Sequence, residues 1–166
     1  MNSKKLALGA VLVALSVVGG MIKINGSIAL DAVAAYFAAA ALGGLFGGAI
    51  AVLGHFFSAL MAGFPLTVPM HLFVMAEMFV IVYLFGKIYE RNKYGAAVSS
   101  IVLNGPVGTG LAALLATALG MPFAGKIMFG TLVLPVTFAS AVNVALAVAV
   151  YESIKRTEVV QQWRHQ

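Results

Sequence analysis

Six apolar stretches, at residues 5–22, 30–43, 46–62, 68–89, 95–118 and 127–153, make up most of this 166-residue chain. A hydrocarbon core takes about 20 apolar residues of helix to cross, and most of these stretches supply them. Composition points the same way. With 62% hydrophobic and 9% charged residues and a mean hydropathy of +1.04, the chain exceeds what a soluble fold of this length can bury. The expected fold is all-α, an integral membrane six-helix bundle forming one domain over residues 1–166. No fixed-period repeat, low-complexity tract or linker divides it.

Lys4, Lys5 and the apolar run to Gly20 have the layout of a signal peptide. The remainder is as apolar as the start, so the segment reads as a retained first helix that continues to Ile22. The second stretch is short for a span, and only Gly43, Gly44 and Leu45 separate it from the third. That pair must form a tight hairpin with one tilted or buried member. Pro135 either kinks a long last helix or opens a shorter one at its first turn, and both versions end near Tyr151.

The net charge of +5 sits in short clusters at the ends of apolar runs, not along one stripe, so it marks topology and not nucleic-acid binding. With the N-terminus inside, Lys4, Lys5, Lys87, Arg91, Lys93, Lys155, Arg156 and Arg164 lie inside, against Lys23 and Lys126 outside. The positive-inside rule therefore puts both termini in the cytoplasm. There is no cysteine, which removes disulfides, thiolate metal sites and cysteine nucleophiles.

Among the small residues, Ala10 and Ala14 form a small-xxx-small pair on the first stretch, with Ala7 nearby. Such a pair serves either packing inside the bundle or docking of another membrane subunit.

Strongly polar groups inside spans cost a few kcal/mol each at the bilayer centre, so they face a cavity or one another. They are Asp31, His55, His71, Glu77, Asn104 and Asn143. Glu77 lies roughly 14 Å along its helix, near mid-membrane. Met70, Phe73 and Glu77 share one helical face, and His71, Met75 and Met78 a neighbouring one. Ser100, Asn104 and Gly108 recur every fourth residue, and a kink at Gly105-Pro106 would free carbonyls beside Asn104. Asn104 and Asn143 can bond a ligand, each other or a neighbouring backbone. Between Met21 and Leu30, Lys23, Asn25, Gly26 and Ser27 lead to Asp31; this segment is either an ordinary solvated loop or a cover for a pocket that opens outward. The turn from Gly63 to Pro69 is short, apolar and rigid.

Enzymatic readings find less support. His55 and His71 are sixteen residues apart and Glu77 lies six further on, with no H-E-x-x-H spacing, so a metal-dependent intramembrane enzyme using these three residues is a rival without a motif. No serine stands in a nucleophile elbow and no Gly-rich loop cradles phosphates, so ATP hydrolysis is not expected of this chain.

The run from Ile22 through Asn25 to Asp31, the stretch Gly47-Gly48-Ala49-Ile50 leading to Gly54-His55 and Ser58-Ala59-Leu60, the turn Gly63-Phe64-Pro65-Leu66 and the pair Glu77-Met78 resemble the substrate-binding S-components of energy-coupling factor (ECF) vitamin transporters. Within them the chain looks most like the predicted α-ribazole transporters of cobamide salvage. The resemblance covers nearly the whole chain. It implies a protein of a prokaryotic plasma membrane that binds a scarce vitamin or precursor on its outer side and topples to deliver it. It also implies partners, one membrane coupling subunit and two ATPases that use ATP and Mg, and no cofactor on this chain. The family's docking motif of two alanines falls on Ala10 and Ala14. Cobalt and nickel members begin Met-His, whereas this chain begins Met1-Asn2-Ser3, which disfavours metal uptake. The α-ribazole group carries a Pro-rich stretch after the Asn that falls on Asn104; here Asn104-Gly105-Pro106 is followed by a Gly/Ala/Leu-rich run to Ala118.

For such a ligand, Phe73, Met75 and Met78 would wall the flat ring, while Glu77, Asn104 and Asn143 would bond the sugar or a ring nitrogen. Cobalamin, thiamine and riboflavin are the alternative ligands, and a secondary transporter acting without any ATPase is a further rival.

Overall fold

The computed structural model describes residues 3–24 and 28–164. Helix α1 (Ser3–Met21) leads into a two-stranded antiparallel ribbon, β1 (Lys23–Ile24) and β2 (Ile28–Ala29), and then to the short helix α2 (Val33–Leu42). Helices α3 (Gly44–Met61) and α4 (Val68–Tyr89) follow. Next, α5 (Lys93–Val102) runs through a π-helical segment (Leu103–Gly108) into α6 (Thr109–Ala118) as one continuous rod. The chain ends in the 29-residue α7 (Lys126–Ile154) and the short α8 (Glu158–Arg164). Five of these units are long and apolar enough to cross a membrane: α1, α3, α4, the α5–α6 rod and α7.

The sixth element, α2, has ten residues and is about 15 Å long, half of a hydrocarbon core. Eight consecutive residues, Ala34 to Ala41, are buried, so α2 is the buried member of the expected hairpin and α3 the spanning one. It begins at Val33 and not near residue 30 because the preceding backbone is engaged elsewhere. Ile28 and Ala29 pair with β1, and the Leu30 amide donates to the Gly19 carbonyl at 3.0 Å. Gly43 makes the turn into α3 with φ of 98°, a conformation that glycine adopts without steric cost.

Lipid offers no hydrophobic drive for helix association, so close backbone approach must supply it. Two crossings show this. Ser16 of α1 lies directly on Gly54 of α3, with Gly20 against Ser58 one turn on. At the other end of α3, Gly44 abuts the Tyr83 carbonyl and the backbone of Gly86. Any side chain at these glycines would displace a helix. The core around α2 is filled by Tyr36 and Phe85, ring to edge at 4.9 Å, and closed at the terminus-bearing face by Val160 of α8.

At that face the Glu152 carboxylate accepts from Tyr89 Oη at 2.9 Å, Lys93 Nζ at 3.1 Å and Lys155 Nζ at 2.9 Å, joining α4, α5 and α7. The cluster is partly exposed, so solvent and salt weaken it. Glu152→Ala is expected to lower the melting temperature of the detergent-purified protein by about 2 °C. The shift should shrink in high salt, and a salt-independent loss would contradict an electrostatic role.

Pro135 lies inside α7, which remains one helix. The break expected at Gly105-Pro106 takes a different form: the missing proline N–H is absorbed by a π segment, in which backbone bonds span five residues and not four.

Candidate functional site

The shortness of α2 creates the site. Ala39 packs on Gly47, and continuing this antiparallel pairing to the start of α2 sets Asp31 opposite His55. Beyond that level α3 has no α2 beside it. The space left between α3, α4, the π segment, α6 and α7 is a cavity of about 500 Å³.

Apolar wall comes from Met70, Val74 and Met78 on α4, Met128 and Leu132 on α7, and Ala112 on α6. The turn residues Pro65 and Leu66 close one side. In that turn Gly63, Phe64 and Thr67 have φ of 76°, 50° and 75°. A left-handed conformation at two non-glycine positions is costly, so packing must hold the turn in place.

Polar groups enter the cavity from α3, α4, the π segment, α6 and α7, and from Asp31 ahead of α2. Asp31 Oδ2 lies 3.6 Å from His55 Nδ1, and His55 Nε2 lies 3.2 Å from His71 Nδ1. The two imidazoles are tilted, with centroids 5.4 Å apart, and Phe64 covers the His71 ring edge-on at 5.5 Å. His71 is buried, and its Nε2 has no partner among the described residues. Glu77 lines the cavity beside Gly108, where any Cβ would overlap its Oε1. Its carboxyl has no hydrogen bond or ion pair among the described residues.

The two asparagines divide. Asn143 Nδ2 donates to the Ala29 and Ala139 carbonyls, each at 2.8 Å, and its Oδ1 accepts from the Ala32 amide at 3.2 Å. It fixes the ribbon and the start of α2 to α7, although it also borders the cavity. Asn104 Nδ2 donates to Ser140 Oγ at 2.6 Å, and Ser140 in turn donates to the Val136 carbonyl. That leaves the Asn104 carbonyl oxygen and second N–H for other partners. Ser16 donates to the Asp31 backbone carbonyl, which anchors the residue that begins the relay.

Of the residues singled out from sequence, Asp31, His55, His71, Glu77, Met78, Asn104 and Asn143 meet at this cavity. Phe73 and Met75 do not line it. Phe73 is half-buried against the cluster around Ala112 and Met128, and Met75 is half-buried elsewhere on α4. Met70, one helical turn before Val74, takes the wall position instead. Lys23 falls on β1, and Asn25 lies outside the described residues. Thr109 and Ser58 were missed as lining residues. Thr109 carries no sequence signal: the π segment widens the turn after Asn104, so that Thr109 borders the cavity together with Gly108.

His55 uses both ring nitrogens, on Asp31 and on His71, whereas His71 keeps Nε2 without a partner among the described residues. Among the described residues no group of three His, Cys, Asp or Glu is placed to hold a metal ion. Ala7, Ala10 and Ala14 are exposed on α1, in line with Val11, Leu15 and Val18. The packing face of that helix is instead Leu12, Ser16, Gly19 and Gly20.

A multi-pass helical bundle around a mixed polar and apolar cavity has the build of a transport subunit. No curated protein and no solved structure matches the chain significantly. The family model described as "ECF transporter, substrate-specific component" matches residues 4–154, nearly the whole bundle, and the chain belongs to that family: it is a membrane-embedded substrate-specific component of an ECF transporter, not an enzyme.

Proposed function

We propose that the chain binds α-ribazole or a closely related vitamin precursor in the cavity above α2 and delivers it inward. A membrane coupling subunit and two ATPases would power delivery. The observation that carries this reading is a cavity of about 500 Å³ with Met and Val on one side and Asp31, His55, His71, Glu77 and Asn104 around the rest. Pockets of roughly 300–1,000 Å³ suit ligands of drug size. A flat methylated ring fits between Met70, Val74 and Met78, and a ribose needs the hydrogen-bonding groups that the other walls supply. The volume favours a nucleoside over a corrinoid such as cobalamin. Both termini face the cytoplasm, because the face that carries them bears eight of the ten Lys and Arg residues. The cavity then lies toward the outer side, with the ribbon and the turn at Pro65 beside its mouth.

Calorimetry of the purified chain against α-ribazole, cobalamin, thiamine and riboflavin tests the ligand. Binding of α-ribazole alone is the expected result. Binding of thiamine or riboflavin without α-ribazole would replace the ligand and leave the transport role intact. Tryptophan fluorescence is a poor reporter, since Trp163, the sole Trp, packs against the core at the terminus-bearing end.

A further inference from the structure

We infer that this cavity admits neutral or cationic ligands that donate hydrogen bonds and rejects anions, including phosphate esters of the molecules it binds. The inference rests on the cavity being the substrate site and adds the charge class of what enters it.

The first argument is the direction of the histidine relay. A carboxylate only accepts hydrogen bonds. Asp31, 3.6 Å from His55 Nδ1, therefore favours the tautomer with hydrogen on that nitrogen, as a carboxylate beside imidazole does. His55 Nε2 is then an acceptor. Its neighbour at 3.2 Å, His71 Nδ1, must donate, which leaves the lone pair on His71 Nε2. This buried atom has no partner among the described residues. A buried acceptor without a donor costs about 1–3 kcal/mol, which a ligand N–H or O–H would recover.

The second argument is the charge around the cavity. The titratable groups on the described lining are Asp31 before α2, His55 on α3, and His71 and Glu77 on α4; the π segment, α6 and α7 contribute none, and no Lys or Arg is among the described lining residues. Whatever its protonation state, Glu77 supplies no positive charge. Lys126, on the same face of the bundle, borders a separate apolar crevice with Val107, Leu111 and Phe129. The positive end of α2 opens toward the cavity, but Asp31, two residues before Val33, already answers it. A phosphate brought here would lose its hydration beside a carboxylate and meet no Lys or Arg among the described lining residues, a state that costs several kcal/mol.

The test is calorimetry of the purified full chain at neutral pH with matched pairs: α-ribazole and its 5′-phosphate, thiamine and thiamine monophosphate, riboflavin and its 5′-phosphate. In whichever pair the parent binds, the ester is expected to bind at least about 100-fold more weakly. An ester within about tenfold of its parent, or tighter, overturns the inference. Should the binding pair be thiamine or riboflavin, the α-ribazole assignment fails by itself and the ratio within that pair still decides the exclusion. His71→Phe keeps a ring in the relay position and removes the acceptor. It should weaken the parent about tenfold and leave the discrimination against the ester in place. Unchanged affinity for the parent would remove His71 Nε2 from the recognition of ligand donors and overturn the relay argument.

Discussion

Ala14→Trp is expected to abolish uptake by cells that express the whole transporter, while the purified variant binds its ligand with unchanged affinity. The split follows from where the alanines point. Helix α1 holds to the bundle through Leu12, Ser16, Gly19 and Gly20. Ala7, Ala10 and Ala14 lie on its exposed side, so a larger side chain there meets nothing of this protein. A membrane partner that packs on the stripe would be held off, because small residues serve to let backbones approach and an indole prevents it. Complex formation with the coupling subunit should be lost together with transport. If Ala14→Trp instead lost ligand binding in detergent, the stripe would be serving the fold. If uptake survived, docking would use another face.

The contrast between the two sides of α1 shows what could be read from sequence. The pair Ala10/Ala14 was visible as a motif but open between packing and docking, since spacing does not say which side of a helix faces the bundle. The packing contact itself, Ser16 on Gly54, depends on where two distant segments cross, and neither residue stands out alone. The buried second helix was legible, because a stretch too short to span and separated from the next by two glycines and a leucine has no other place in a bilayer. Its shortness also makes the cavity, a consequence that appears only once α3 is set beside it.

Within the site, intramembrane ionisable groups gave themselves away by their cost, and all four meet at one cavity. Their pairing did not. Asp31 reaches His55 only through the antiparallel register of α2 on α3, and His55 reaches His71 only through the crossing of α3 and α4. Helical periodicity places Met75 and Phe73 on plausible walls, yet Met75 stands about 140° round the helix from Met70, and spacing alone does not say which of these sides of α4 faces the cavity. The π segment is the hardest case. Gly105-Pro106 announced a disturbance, but an extra residue in the turn was not deducible, and with it went the position of Thr109.

Glu77→Ala should weaken ligand binding by about 10–100-fold, the effect of losing a hydrogen bond worth about 1–3 kcal/mol in a buried site. The carboxyl lines the cavity without any partner among the described residues. A group of this kind is expensive to place in a membrane, and no internal contact accounts for it. Asn143 provides the comparison: its three hydrogen bonds go to backbone, so Asn143→Ala should lower thermal stability as well as affinity. Glu77→Ala should leave the melting temperature of the ligand-free protein unchanged or higher, because removing a half-buried polar group that has no partner among the described residues relieves a desolvation cost. The two measurements together separate a ligand contact from a structural one. Glu77→Gln sharpens the reading further. It keeps the shape beside Gly108 and one acceptor oxygen, so a ligand held by a neutral hydrogen bond should lose little, whereas one held by charge should lose nearly as much as with alanine. Unchanged affinity in Glu77→Ala would place the ligand elsewhere in the cavity, against Asn104 and the histidine relay.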